Sequence, residues 1–220
     1  MKWLSNLFGK GDGGASGKPR IQSVNPKTLL FSIPTLADDL PALGPIDKPP
    51  SRSDVVLGED DWAQLEFFPR AARAVVEQQL TELKAFEAAN RKASGWKKVY
   101  VRKIQRSAVI DKPSPLQHLE GVLGTKAGGA AFIAAATAFA GRVKSGFTFD
   151  LGGNIQLYGY AAPYGVPVLA ASVGANADNM KLASAFMRLH KSDGLMLVDW
   201  RAQLLLVGVT PDGNIETWKP

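Results

Sequence analysis

The sequence predicts an α+β protein with a mixed, mostly antiparallel sheet, about three helices and a C-terminal β-hairpin or meander. Segments with strand character outnumber those with helical character along the 220 residues. The strongest turn signal, Pro211-Asp212-Gly213-Asn214, separates two apolar runs and predicts an antiparallel hairpin near the C-terminus. A chain of this length buries roughly 70% of its unfolded surface, so neither a disulfide nor a metal is required for folding.

The helices are predicted from apolar residues that recur at helical spacing. Pro69 suits the first position of a helix that continues to about Asn90. A short helix is expected to carry His118. Longer helical patterns cover residues 129–143, where small residues favour close packing on a sheet, and residues 177–190.

Strands are predicted where apolar residues alternate or run between turn residues. Two of them flank the helix that starts at Pro69 and would form a β-α-β unit with it. Gly-Gly-Asn at 152–154 is a good hairpin turn between two others. The predicted strands are residues 62–68, 96–106, 147–151, 155–160, 166–173, 195–200, 204–210 and 215–218.

The chain is expected to have two parts. Residues 1–53 are interpreted as a short amphipathic helix, a Gly-rich linker and a Pro-rich arm, and residues 54–220 as a single α+β domain. The short helix rests on the apolar residues Trp3, Leu4, Leu7 and Phe8, which fall at i, i+1, i+4 and i+5. It could dock on its own domain or on a neighbouring copy of the chain.

Residue counts exclude several kinds of chemistry. The chain has no cysteine and only two histidines, His118 and His190, so thiol catalysis, cysteine-bound metals and histidine-rich metal sites are ruled out. No metal site and no cofactor is predicted. The absence of a recognisable secretory signal or a long apolar span leads us to expect a soluble, cytoplasmic protein.

The positive charge is concentrated in one segment. Residues 91–112 hold eight of the 26 Lys and Arg residues and a single acid, Asp111. In a strand, alternate residues share a face, so Val99 and Val101 are expected to face the core while the cations surround Tyr100 on the exposed side. A partner-binding or anion-binding surface is therefore predicted at Trp96, Lys98, Tyr100, Arg102 and Arg106. The alternative is an ordinary solvated sheet face.

No catalytic residue is assigned. Ser172 lies between a predicted strand and a predicted helix, as the nucleophile of a hydrolase would, but Ala170 replaces the usual first glycine. His190 would be carried about 20 Å away by a helix of about 14 residues. A serine hydrolase therefore requires that Ser172, His118 and Asp199 converge in the fold.

The sequence thus favours a non-enzymatic, bacterial-type binding protein that acts through a protein–protein surface, with an immunity-type or adaptor role as its concrete form. Its partner would be a protein, and an acidic one if the basic segment binds it. The first alternative is binding of an anionic ligand or nucleic acid through residues 96–106. The second is a hydrolase that uses Ser172. Homo-oligomerisation stays open.

Overall fold

Fifteen strands and three α-helices make up the part of the chain that the computed structural model describes, residues 30–51, 53–135 and 139–220. The α+β class is confirmed. The helices are α1 (Arg73–Asn90), α2 (Pro115–Leu123) and α3 (Asn179–Asp193). The strands are β1 (Thr35–Ala37), β2 (Leu43–Gly44), β3 (Val56–Gly58), β4 (Leu65–Pro69), β5 (Arg91–Lys92), β6 (Gly95–Trp96), β7 (Tyr100–Arg102), β8 (Phe132–Ala134), β9 (Phe139–Val143), β10 (Gly146–Gly152), β11 (Ile155–Ala162), β12 (Gly165–Val173), β13 (Leu195–Asp199), β14 (Leu204–Val209) and β15 (Ile215–Trp218).

The central sheet has seven strands in the order β10-β11-β12-β4-β13-β14-β15, and every neighbouring pair is antiparallel. The C-terminal meander β13-β14-β15 and the hairpin β10-β11 confirm the two turn-based predictions. Both rest on local turn chemistry: Gly152 and Gly153 adopt φ values of 74° and 62°, and Gly213 adopts 82°.

The helices cover both faces of this sheet. α1 packs its buried Val76, Leu80 and Leu83 over one face, against Trp200 and the apolar residues of β13 and β14 that point the same way. α2 and α3 cover the other face, where Phe186 is fully buried. The bounds of α3 follow from its ends, because Asp178 accepts a hydrogen bond from the Met180 backbone and Gly194 adopts a φ of 66°.

The predicted helix at residues 129–143 is wrong. These residues supply β8 and β9 of a second sheet with the order β2-β9-β8-β3, and residues 136–138 lie outside the described part. Phe132 pairs with Val56 on one side and with Arg142 on the other. Strand partners far away in the chain therefore override the helical periodicity, as tertiary context often does.

The central sheet is divided by a weak junction between β12 and β4. A single register pair, Ala170 with Glu66, joins these strands. Continuing that antiparallel register places Pro167 opposite Pro69, and neither proline has a backbone N–H to donate. The ladder therefore cannot continue on the proline side of the pair. A cavity lies at each end of the junction: Pro69 and Pro167 line one, and residues 171–173 line the other together with Gln64 and Leu65.

Two predicted strands are shorter than the sequence indicated. β4 begins at Leu65, because Ala63 takes a left-handed turn with a φ of 53°. In the segment 96–106, regular pairing is limited to β6 and β7, and β7 pairs with β1 rather than with the central sheet. The arm thus contributes β1 and β2 to the folded part, whereas the predicted N-terminal helix lies outside the described residues.

Candidate functional site

The basic segment has the opposite orientation to the one predicted from alternation. Arg102 is fully buried, while Val101 is 48% exposed, so the expectation that Val101 faces the core is wrong. Tyr100 is drawn inward by α1, where its ring packs edge-on against Phe86 at a centroid distance of 5.5 Å. Because side chains alternate along a strand, Arg102 must then point the same way as Tyr100.

Buried Arg102 holds together the turn that precedes β4. Its guanidinium donates to the Ala63 carbonyl at 3.0 Å, to Thr35 Oγ1 at 3.1 Å and to Gln64 Oε1 at 3.3 Å. It also lies 5.0 Å from the centre of the Trp200 ring. Burial lowers the pKa of Arg102 to about 10, so it stays charged at neutral pH. Arg102 supports the fold rather than facing solvent.

Arg106 forms salt bridges with two carboxylates. It pairs with Asp39, from Nε to Oδ2 at 2.5 Å and from Nη2 to Oδ1 at 2.9 Å, and also with the fully buried Glu66. Burial alone would lower the pKa of Arg106. The carboxylates of Glu66 and Asp39 favour its charged form, however, and the pKa is raised. Burial raises the pKa of Glu66, against the attraction of Arg106 and Arg102. The positive charge of Arg106 is therefore neutralised by carboxylates of the protein itself.

The other three residues of the predicted surface differ in exposure. Tyr100 donates its hydroxyl to Glu82 at 2.8 Å, and burial together with this bond raises its pKa to about 12. Trp96 is half-buried and exchanges backbone hydrogen bonds with Phe31 at 2.9 and 3.0 Å. Lys98 is exposed. Partner or anion binding by these five residues stays a prediction.

A compact group of free cations does exist, at the hairpin formed by β5 and β6. Arg91, Lys92, Lys97 and Lys98 are all exposed, and none forms a salt bridge within the described part of the chain. Arg91 lies 5.7 Å from the centre of the Trp96 ring. We call residues 91–98 the basic hairpin. The basic hairpin exposes its four positive charges to solvent, whereas Arg102 and Arg106 are directed into the protein.

The largest cavity described is a groove of about 570 Å³ at one end of the β12–β4 junction. It lies on the face that α3 covers, beside the first turn of that helix. On β14, Leu204 and Leu206 are only partly buried there, whereas Leu205 on the opposite face is fully buried. The apolar lining of this groove, which we call the junction groove, consists of Val56, Leu57, Leu65, Ala171, Val173, Leu182, Leu197, Leu204 and Leu206.

Three charged residues line the junction groove: Asp61, Asp199 and Arg201. Arg201 pairs with Asp61 at 2.7 Å, and Asp199 Oδ1 accepts the Ala202 backbone N–H at 2.8 Å. The lining therefore carries one more acid than base, and Glu59 and Asp60 are exposed in the same short turn as Asp61 without lining the groove. The remaining polar lining residues are Gln64, Ser172 and Asn179.

The three residues required for a serine hydrolase do not converge. Ser172 and Asp199 line the junction groove, but His118 lies between α2 and α3, where its Nε2 is 2.9 Å from a carboxylate oxygen of Asp193. His190 Nδ1 donates to the Leu195 carbonyl at 3.0 Å. Neither histidine lines the groove, so its described residues offer Ser172 no imidazole base.

The groove was missed by sequence reasoning because its walls come from five separate stretches of the chain. One signal does point to it: Leu204-Leu205-Leu206 places apolar side chains on both faces of a strand, which requires cover on both sides. α1 covers this strand on one face. On the other face, α3 leaves Leu204 and Leu206 only partly buried.

Comparisons with protein-family models, curated proteins and solved structures found no match. Within the described residues there is no cluster of three or more metal-ligating His, Asp or Glu side chains, and no helix long and apolar enough to cross a membrane.

Proposed function

We propose that this protein is a non-enzymatic protein-binding module, and that the junction groove receives an apolar segment of a partner protein. One observation carries the proposal: large apolar side chains in the lining of the groove and beside it are exposed to solvent. Val56 is 42% exposed and Val173 45%, and Met180, in the first turn of α3, is 71% exposed. A central apolar cavity within a wider apolar patch is typical of protein-binding surfaces.

The rim indicates the chemistry of the partner segment. Asp199, which lines the groove, and the exposed Glu59 and Asp60 in the neighbouring turn favour basic residues beside the apolar anchors, since opposite charges steer association and set orientation. The volume of about 570 Å³ lies within the range of about 300–1,000 Å³ that is typical of binding clefts. We therefore expect a short segment with several large apolar residues and flanking Lys or Arg. An immunity-type or adaptor role would use such a surface.

The test uses two valines of nearly equal exposure. The full-length protein is panned with a phage-displayed random peptide library, and enriched peptides are measured against Val173→Glu and Val101→Glu by fluorescence anisotropy. Val173 lines the groove and Val101 does not. We expect Val173→Glu to weaken binding at least about tenfold, or about 1.4 kcal/mol, with no change for Val101→Glu. Equal binding to both variants, or no enrichment, would refute the proposal.

A second candidate function is binding of an anionic ligand or nucleic acid, and it rests on the basic hairpin. Four exposed cations within eight residues, with the half-buried Trp96 among them, form a surface suited to phosphate groups. Arg102 and Arg106 would contribute little direct contact, because one is fully buried and the other is paired with Asp39 and Glu66.

A further inference from the structure

We infer that the junction groove is occupied by residues 3–8 of the same chain when no partner is bound. This inference rests on the proposed use of the groove for apolar protein segments, and it adds an occupant supplied by the chain itself. The consequence is autoinhibition, because a partner segment must displace residues 3–8 before it can bind.

The composition of the N-terminal segment matches the groove. Trp3, Leu4, Leu7 and Phe8 place four large apolar side chains within six residues, which suits a cavity lined by nine apolar residues. The N-terminal charge is also complementary. Residues 1–29 contain five cations (Lys2, Lys10, Lys18, Arg20 and Lys27) and one acid, Asp12, whereas two acids and one base line the groove.

The connection has a suitable length. The Thr35 carbonyl accepts a hydrogen bond from Gln64 Nε2 at 2.9 Å, and Gln64 lines the groove. Leu30, five residues earlier, therefore lies within about 20 Å of the groove wall. Residues 9–29 connect Phe8 to Leu30, and a chain of this length can reach at most about 70 Å. The connection is therefore long enough for residues 3–8 to reach the groove, which is the condition for binding within one chain.

This geometry sets the size of the expected effect. A short linker that can span the two sites gives an effective concentration of about 1 mM. A segment that binds the groove with a Kd of about 0.1 mM would then leave it empty only about one tenth of the time. A probe that reacts only with the open groove should be slowed about tenfold.

The absence of cysteine from the chain provides a direct assay, since one engineered thiol is the only thiol present. Val173→Cys places it in the groove, and Val101→Cys is the control of matched exposure. Labelling by a maleimide reagent is timed in full-length protein with the native N-terminus and with Leu7→Asp plus Phe8→Asp. We expect Cys at position 173 to label about tenfold more slowly with the native N-terminus, and Cys at position 101 to label equally in both.

The outcomes separate this inference from the proposed function. Equal labelling at position 173 in both backgrounds overturns the inference, and protection that increases with protein concentration overturns it in favour of a neighbouring copy. A library-selected peptide that slows labelling at position 173 in the Leu7→Asp plus Phe8→Asp background supports the proposed function independently. That peptide should also bind this background about tenfold more tightly than the native N-terminus allows.

Discussion

Replacing Arg102 by methionine should destabilise the protein far more than the same replacement at its neighbour Val101. Methionine fills similar space beside the Trp200 ring, but it carries no charge and donates no hydrogen bond. The Ala63 carbonyl and Gln64 Oε1 would each lose a donor in a buried setting, at about 1–3 kcal/mol apiece. Removing a buried cation recovers part of this cost, so we expect a net loss of about 2–4 kcal/mol.

The measurement is urea unfolding of the full-length protein, with the midpoint and slope fitted for each variant. For a protein of this size, the loss at Arg102→Met corresponds to a Tm lowered by about 10 °C. Val101 is 48% exposed, so Val101→Met should change stability by no more than about 0.5 kcal/mol. The reverse ranking, with Val101→Met the more damaging, would mean that the strand faces the way alternation alone predicted, and our reasoning would be refuted.

Two further predictions concern the same part of the chain. Lys97→Glu plus Lys98→Glu should reduce the salt slope of oligothymidylate binding by about 1.4, at about 0.7 per lost phosphate contact, whereas Lys181→Glu plus Lys191→Glu should not. An unchanged slope would remove the nucleic-acid candidate. The pKa of Tyr100, raised to about 12, means that stability is lost as the pH rises from about 10 to 12. Tyr100→Phe should reduce that loss in urea titrations at about pH 9 and about pH 11; an equal loss in both proteins would contradict it.

The sequence alone was enough for those elements whose signals are local. The α3 helix begins after Asp178 and ends at Gly194, and both residues act on the backbone beside them. The hairpin β10-β11 and the meander β13-β14-β15 follow from turn residues and apolar runs that lie within about 25 residues of one another. The absence of thiol chemistry is determined by composition.

Only the tertiary structure decided the elements whose partners are distant. Residues 129–143 have helical periodicity, yet they become strands because Phe132 finds Val56, 76 residues earlier in the chain. Arg102 turns inward because its acceptors come from Thr35, Ala63 and Gln64. The junction groove likewise depends on distant partners, because residues of β3, β4, β12, α3, β13 and β14 line it together. Periodicity shows which face of a segment is apolar. The partner that covers this face is determined by contacts that form only in the folded chain.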